Sequence, residues 1–412
     1  MSRRMLIGAL VFFTGVWLLL LWGRLALDPQ VTFGDDARRY SDLATHLVEH
    51  RFYSVDGITP HRELEPGYGV FLAFTYLLFG IENRLGIFFL QGMLYIVSVL
   101  FFVKEVQEIT SKRTTSIALM FFVALPSIYH TIFSVYRESF VLSLFLLFSG
   151  SVLQFLRTRS FHSVLFAGGA LSTIVLTYIP FLLLPIVLLP VFLFLRLPPK
   201  KVSLMVLLPF FCIFVWGMRN AQYGNFRITG NQRSTGAHWL VRADHAERWH
   251  GWDPLRCIAA EYVTRSWTED LDVLCRPIPS IHVPTGGIED DRVRDAIAAD
   301  AKRRILAHLP SYLYQSLFVT LEYHLPFVNG WGRTYNLVEA GMTGVLYGGC
   351  CVYLWTSWRS WKREHLLFFV ILLYSAAIFS LFQSIPRFHM PVIFTYIVFA
   401  ALGYDALFRR VQ

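Results

Sequence analysis

Two adjacent carboxylates, Asp35 and Asp36, stand in the run Gly34-Asp35-Asp36-Ala37-Arg38-Arg39-Tyr40-Ser41-Asp42-Leu43-Ala44. Paired acids can take a proton from an attacking nucleophile or hold a divalent cation. Tyr40, Leu43, Ala44, Leu47 and Val48 follow i, i+3, i+4, i+7, i+8 spacing, which predicts an amphipathic helix over 36–50. Asp35 or Asp36 would then occupy its N-cap, where a carboxylate also satisfies free amide hydrogens and the helix dipole. Six arginines stand out as well: Arg24, Arg84, Arg137, Arg219, Arg333 and Arg387 each occur close to the edge of an apolar run. Guanidinium forks match phosphate oxygens and stay charged in apolar surroundings, although an Arg near a helix end also snorkels to lipid phosphates.

The elements that carry these residues are apolar helices. Of 412 residues 55% are hydrophobic and only 16% charged, and the mean hydropathy is +0.49, which excludes a soluble, disordered or coiled-coil chain. Runs long enough to cross a bilayer lie at about 5–27, 86–103, 115–132, 139–156, 163–179, 181–195, 203–218, 336–356, 366–383 and 388–407. The expected fold is an all-α polytopic bundle of about ten transmembrane helices. Gly67–Gly80 and Tyr312–Val328 are short or interrupted by Glu322, His324 and Pro326, so they read as interfacial helices.

Charge fixes the expected orientation. With Arg3 and Arg4 inside, ten spans place Lys104–Arg113, Arg157–Arg159, Arg196–Lys201, Arg359–Arg363 and Arg409–Arg410 in the cytoplasm. These clusters and the N-terminus hold 15 of the 37 Lys and Arg, whereas segments 28–66 and 222–310 hold 20 of the 28 acids. That asymmetry obeys the positive-inside rule and puts both long segments outside. The six single arginines then all fall at the outer membrane face. The expected domains are an N-terminal bundle (1–221) with the acidic loop 28–66 and interfacial 67–80, an extracytoplasmic segment (222–335) with interfacial 312–328, and C-terminal helices (336–412). The first span lacks a small-residue cleavage site and reads as a retained helix.

Other groups are weighed more briefly. Cys212, Cys350 and Cys351 lie in spans as small packing residues, while Cys257 and Cys275 share the large outer segment, where an oxidising compartment permits a disulfide. His238, His245 and His250 are interleaved with Trp239, Trp249 and Trp252, which favours a packed or sugar-stacking surface over a metal cluster. Arg137-Glu138, after Tyr136 at the end of a span, reads as a local salt bridge or a helix-start carboxylate, weighed against a role in the site. Glu289-Asp290-Asp291 reads as a solvated helix start. No Walker-type loop or HExxH occurs, so nucleotide hydrolysis is not expected to power the protein.

Three pieces of sequence carry a family resemblance: Asp35-Asp36-x-x-x-Tyr40 with Leu43-Ala44, Pro66-Gly67-Tyr68-x-x-Phe71-Leu72-Ala73, and Arg387-Phe388-His389-Met390-Pro391. Together with Arg219-Asn220 before Gly224-x-Phe226, and Ala298–Leu309 before Pro310-Ser311-Tyr312-Leu313, they resemble the GT-C glycosyltransferases of the protein O-mannosyltransferase and aminoarabinose transferase type. The resemblance implies transfer of a sugar from a polyprenyl-phosphate carrier to an extracytoplasmic lipid, glycan or protein, usually with inversion. It implies an acidic first-loop residue, matched by Asp35, and a carrier-phosphate contact, matched by Arg387. Asp36 stands where relatives often have Glu, Gly69 where many have a second proline, and 229–236 matches only loosely.

The chemistry makes sense on its own terms. A phosphodiester leaves without a general acid, so the protein must deprotonate the acceptor and stabilise the developing phosphate charge. Asp35 and Asp36 are the expected catalytic pair. Arg387, His389, Arg137, Glu138, Arg219, Arg24, Arg84 and Tyr40 are the expected substrate contacts. No cofactor is expected; Asp35 and Asp36 could bind a divalent cation, a role the resemblance does not favour. Expected partners are the lipid-linked donor, its acceptor and the bilayer, in a bacterial inner membrane with the site facing outward. The alternatives are an O-antigen-type polymerase or ligase, whose large loop usually comes late, and a secondary transporter, which would show internal symmetry and mid-membrane charges.

The topology is testable by labelling an Arg84→Cys protein in intact cells. An impermeant thiol reagent should reach position 84 from outside; labelling from the cytoplasmic side alone would sink the ten-span arrangement.

Overall fold

The computed structural model describes residues 35–62, 64–224, 242–248, 253–258, 291–325, 333–357, 361–382 and 386–411, with Gly8, Gly15, Phe226 and Ile228. The expected first span, 5–27, otherwise lies outside the described residues. Helices are α1 (Asp35–His50), α2 (Pro66–Phe79), α3 (Arg84–Gln107), α4 (Lys112–Ala124), α5 (Pro126–Ile132), α6 (Arg137–Thr158) and α7 (Phe161–Thr177). They continue as α8 (Leu184–Phe194), α9 (Pro199–Ala221), α10 (Asp253–Ile258), α11 (Asp291–Ala307), α12 (Leu309–Tyr323), α13 (Arg333–Ser357), α14 (His365–Phe382) and α15 (Ile393–Val411). Short 3-10 turns, Ile179–Leu183 and Pro386–Val392, precede α8 and α15.

The protein is all-α among the described residues, and the remaining nine expected spans each coincide with helix. Among the described residues five helices are long and apolar enough to cross a membrane, or six if α4 and α5 count as one. The second of the two acts as a continuation bent by 55°. Pro126 causes the break, because it carries no N–H and disfavours a helical conformation at Leu125. Helices α2, α7 and α14 are apolar but shorter. At 1.5 Å per residue α2 is about 21 Å long.

Contacts divide the chain into two units, residues 1–228, 329–374 and 390–412 in the first, residues 229–328 and 375–389 in the second. Of the long apolar helices α6 is the most enclosed, packed on α3 and α7. Phe102 on α3 receives ring edges from Phe122, Phe368 and Phe394, with centroids 5.5–6.2 Å apart; such edge-to-face sets give an apolar centre directional packing. Between α13 and α15, Gly403 abuts the Gly349 carbonyl so closely that a Cβ would collide with it. Small residues at a crossing let backbones approach where lipid offers no hydrophobic driving force.

In the second unit, Arg304 donates twice to Glu247 at 2.6 Å, which lowers the Glu247 carboxyl from its usual value. Gln315 Nε2 donates to the His245 carbonyl at 2.6 Å, and Arg242 Nη2 to Ser316 Oγ at 2.8 Å. Cys257 is buried and disulfide-bonded. Cys275, the Trp residues of the large segment, His238 and His250 lie outside the described residues.

Candidate active site in the first loop

The expected amphipathic helix forms as α1. Ala37, Tyr40, Leu43 and Ala44 are buried, so the face legible in the spacing is the face that packs. Asp35 is its first residue, and its side chain lies outside the described residues; Asp36 follows in the same turn and is exposed. Both acids thus sit in the first turn of α1, where the helix dipole stabilises negative charge.

One turn below Asp36, Tyr40 is 5% exposed and meets the Tyr68 ring edge-on at 5.1 Å. Burial raises the Tyr40 phenol well above its ordinary value; Arg137 opposes that, and Glu65, Glu138 and Asp36 add to it. All four charged residues therefore act on one hydroxyl. Arg137 Nη1 donates to Glu65 Oε2 at 3.2 Å and to the Thr177 carbonyl at 3.5 Å. Its guanidinium lies 3.9 Å over the Tyr178 ring and 6.0 Å from the Tyr40 ring, a stacking that suits a flat, weakly hydrated cation.

The local salt bridge expected beside Arg137 is thus supplied from far away in sequence, by Glu65 at the N-cap of α2. Glu65 is 2% exposed. Burial raises its carboxyl, and that effect outweighs the attraction of Arg137 and the amide of Ile179, both of which lower it. Glu138 is also buried.

Glycine makes this junction possible. A Cβ on Gly67 would lie 2.9 Å from the Leu176 carbonyl oxygen and would collide with Thr177, pushing away the segment that presents Tyr178 to Arg137. Pro66 opens α2 without needing an amide partner. Below them Tyr68 donates to Gln91 Oε1 at 2.9 Å, and Gln91 Nε2 donates to the Ile132 carbonyl at 2.9 Å. Gln91 thereby satisfies the end of α5 just before the chain turns into Arg137.

Arg219, expected to contact substrate, is held by the first loop itself. It donates to the His61 carbonyl at 2.7 Å and the Tyr53 carbonyl at 3.3 Å, and it stacks near Trp216 and Tyr223. Arg84 is the first residue of α3, half-buried. In the second unit, His389 is 1% exposed and pairs with the Tyr323 carbonyl at 3.0 Å. Arg387 lies in the 3-10 turn; its side chain, that of Arg333, and all of Arg24 lie outside the described residues. Glu65, Tyr178 and Gln91 were not singled out by sequence. The one available signal was an acid directly before Pro66-Gly67 at the head of an apolar helix.

No protein-family model matches the sequence, and no curated protein matches it. Solved structures do. The archaeal oligosaccharyltransferase AglB from Archaeoglobus fulgidus, in complex with an inhibitory peptide and a dolichol-phosphate, aligns over 100% of this chain and 51% of its own, at 12% identity and a TM-score of 0.55. The same organism's oligosaccharyltransferase with zinc and sulfate aligns over 98% and 49%, at 14% identity and 0.55. ArnT from Cupriavidus metallidurans bound to undecaprenyl phosphate aligns over 100% and 79%, at 13% identity, but its TM-score of 0.45 is too low to argue from. The chain spans about half the length of the oligosaccharyltransferases. At these identities the likeness shows a shared fold with the two oligosaccharyltransferase structures and nothing further.

The Glu65 carboxyl gives a pH signature. An unfolded Glu loses its proton near pH 4.3, whereas folded Glu65 holds it to higher pH, so the stability Glu65 confers is complete below that value and declines as pH rises through the folded pKa. Melting temperatures of wild type and Glu65→Gln, measured across pH 4–8 in detergent, should show wild type losing ground to the variant with rising pH. A wild-type advantage that grows with pH would contradict it.

Proposed function

We propose that the protein is an integral-membrane glycosyltransferase that moves a sugar from a polyprenyl-phosphate donor to an extracytoplasmic acceptor, with inversion. The observation that carries the reading is the placement of α1, whose first turn holds Asp35 and Asp36, directly over the buried Arg137–Glu65–Tyr178 cluster. The fold shared with AglB, whose solved structure contains a dolichol-phosphate, supports a lipid-linked donor.

In this reading the Asp35 carboxylate takes the proton of the acceptor O–H or N–H as that atom attacks the anomeric carbon. The bond from that carbon to phosphate oxygen breaks, and the electron pair leaves on the polyprenyl phosphate. The resemblance assigns the departing phosphate to Arg387, with His389 in the same 3-10 turn. Arg137, neutralised in the resting protein by Glu65, adds positive potential beneath the first loop, with Tyr40 and Glu138 beside it. Asp36, Arg84 and Arg24 complete the charged rim, Arg219 holds the loop closed, and no metal is required. The acceptor is a lipid, glycan or protein of the cell envelope, and the membrane is a bacterial inner membrane.

Purified protein incubated with polyprenyl-phosphate sugars and membrane extracts tests the reading, with transfer of labelled sugar as the readout. Asp35→Asn should lower turnover by about 10²–10⁴-fold, the range of a positioned base, with donor binding intact. Wild-type turnover by that variant would leave Asp35 as a helix-start residue only.

Arg387 has its own test. A charge-assisted bond to phosphate contributes ~1.5–3 kcal/mol, so Arg387→Ala should weaken donor use at least about tenfold, and Arg387→Lys should recover it only in part because Lys lacks the fork. Equal donor dependence of all three proteins in detergent would make Arg387 an interface anchor.

A further inference from the structure

The end of the first unit opposite the candidate active site carries a pattern that membrane orientation does not require. Helix α6, 22 residues from Arg137 to Thr158, spans roughly 33 Å, so its last turn lies far from the Arg137 cluster. Lys201 Nζ donates to the Arg159 carbonyl at 2.5 Å, which joins the link after α6 to the link between α8 and α9. These two segments, 157–163 and 195–201, hold Arg157, Arg159, His162, Arg196, Lys200 and Lys201. They hold no acid, and the whole chain has none between Glu138 and Asp244.

Two of these arginines stand where a helix end ordinarily takes glycine. Helix α6 closes on Arg159 at φ 54° and ψ 19°, with its amide donating to the Phe155 carbonyl at 3.0 Å. Helix α8 closes on Arg196 at φ 55°; its amide donates to the Leu193 carbonyl at 2.9 Å, and that of Leu197 to the Phe192 carbonyl at 3.1 Å. Both are left-handed C-terminal motifs, whose positive-φ position favours Gly because a Cβ there crowds the backbone. Among the described residues only Arg51, Glu82, Arg159 and Arg196 are non-glycines at positive φ.

Each of the two arginines has an exposed aromatic two residues away, Phe161 beside Arg159 and Phe194 beside Arg196, 51% and 56% exposed. Arg159, Arg196 and Lys200 are themselves exposed. Arg363, from the link between α13 and α14, adds a third basic segment, with its guanidinium 5.7 Å from the Phe194 ring. Arg157 is already engaged by Glu105, at 2.9 Å. Phe and Leu at a membrane surface seat themselves at the boundary of head groups and acyl chains, while Lys and Arg reach the phosphates. Orientation depends on the charge a loop carries, and a cation at any unstrained position would serve it equally. A guanidinium kept at a left-handed cap, twice, is the kind of local strain that gathers where a ligand is held.

From this placement we infer that the two segments form a docking surface for anionic phospholipid head groups in the leaflet at this end of the bundle. Phe161 and Phe194 lie in the acyl boundary, and Arg159, Arg196 and Lys200 meet the phosphates. A guanidinium fork matches the free oxygens of a phosphodiester, and a basic cluster without acids is attracted to an anionic leaflet. The inference does not depend on the glycosyl-transfer reading.

The test uses the full-length protein in a neutral detergent. Its melting temperature is titrated with short-chain phosphatidylglycerol, with phosphatidylcholine of the same chain length, and with glycerol 3-phosphate as a soluble anion. A saturable rise with phosphatidylglycerol alone is expected. Arg159→Gly and Arg196→Gly place at each cap the residue that takes its conformation without strain, so the fold is kept. Each should cut the phosphatidylglycerol-induced rise by about half, since basic residues at a leaflet contribute one by one, and the double variant should remove most of it. Arg51→Gly, at a left-handed position outside both segments, should leave the rise intact. If the double variant fails to fold, Lys200→Gln, which touches neither cap and should also reduce the rise, decides. An equal rise with phosphatidylcholine or glycerol 3-phosphate, an undiminished rise in the deciding variant, or as large a loss in Arg51→Gly overturns the assignment.

Discussion

A charged guanidinium at the edge of a hydrocarbon layer must be neutralised by something already in place, and Glu65 does this for Arg137. The pair is mostly withdrawn from water, where removing one partner strands the other at a cost of about 3–5 kcal/mol. Everything around it serves that placement. Pro66 starts α2 so that Glu65 sits at its N-cap, Gly67 lets α2 close against the end of α7, and Tyr178 comes to lie under the guanidinium. With Arg137 fixed, Tyr40 has a defined neighbour, and through it the first turn of α1 has a defined floor.

The same rule explains how broken helices survive here. Pro126 interrupts α4 and α5, leaving the Ser127 amide without an intrahelical acceptor, and Glu339 Oε2 on α13 accepts it at 2.9 Å. At the far end of α5, Gln91 takes the Ile132 carbonyl. An unsatisfied backbone group in hydrocarbon costs several kcal/mol, so α5 is a short rigid segment clamped at both ends by side chains from other helices. It delivers the chain to Tyr136 and Arg137, so the position of Arg137 is inherited from these clamps.

The two faces of the first unit solve opposite electrostatic problems. At one end, acids crowd around a single cation: Asp36, Glu65 and Glu138 all bear on Tyr40 beside Arg137. At the other end a single acid, Asp405, accepts from Ser111, Thr114 and Arg409, with Arg113 4.0 Å from its other oxygen.

Much of this was written locally and could be read locally. Spans, the short α2, the amphipathic face of α1 and the basic loops follow from periodicity and charge, because each depends on residues within one or two turns of one another. The pairing of Arg137 with Glu65, 72 residues apart, could not be read, since nothing in either neighbourhood names the other. Arg219 looked as available for phosphate as Arg137, yet tertiary structure spends it on the carbonyls of His61 and Tyr53. Sequence decides where charges and helices must be; only packing decides which charge neutralises which, because in a low-dielectric interior that choice depends on distances of a few ångströms between segments far apart along the chain.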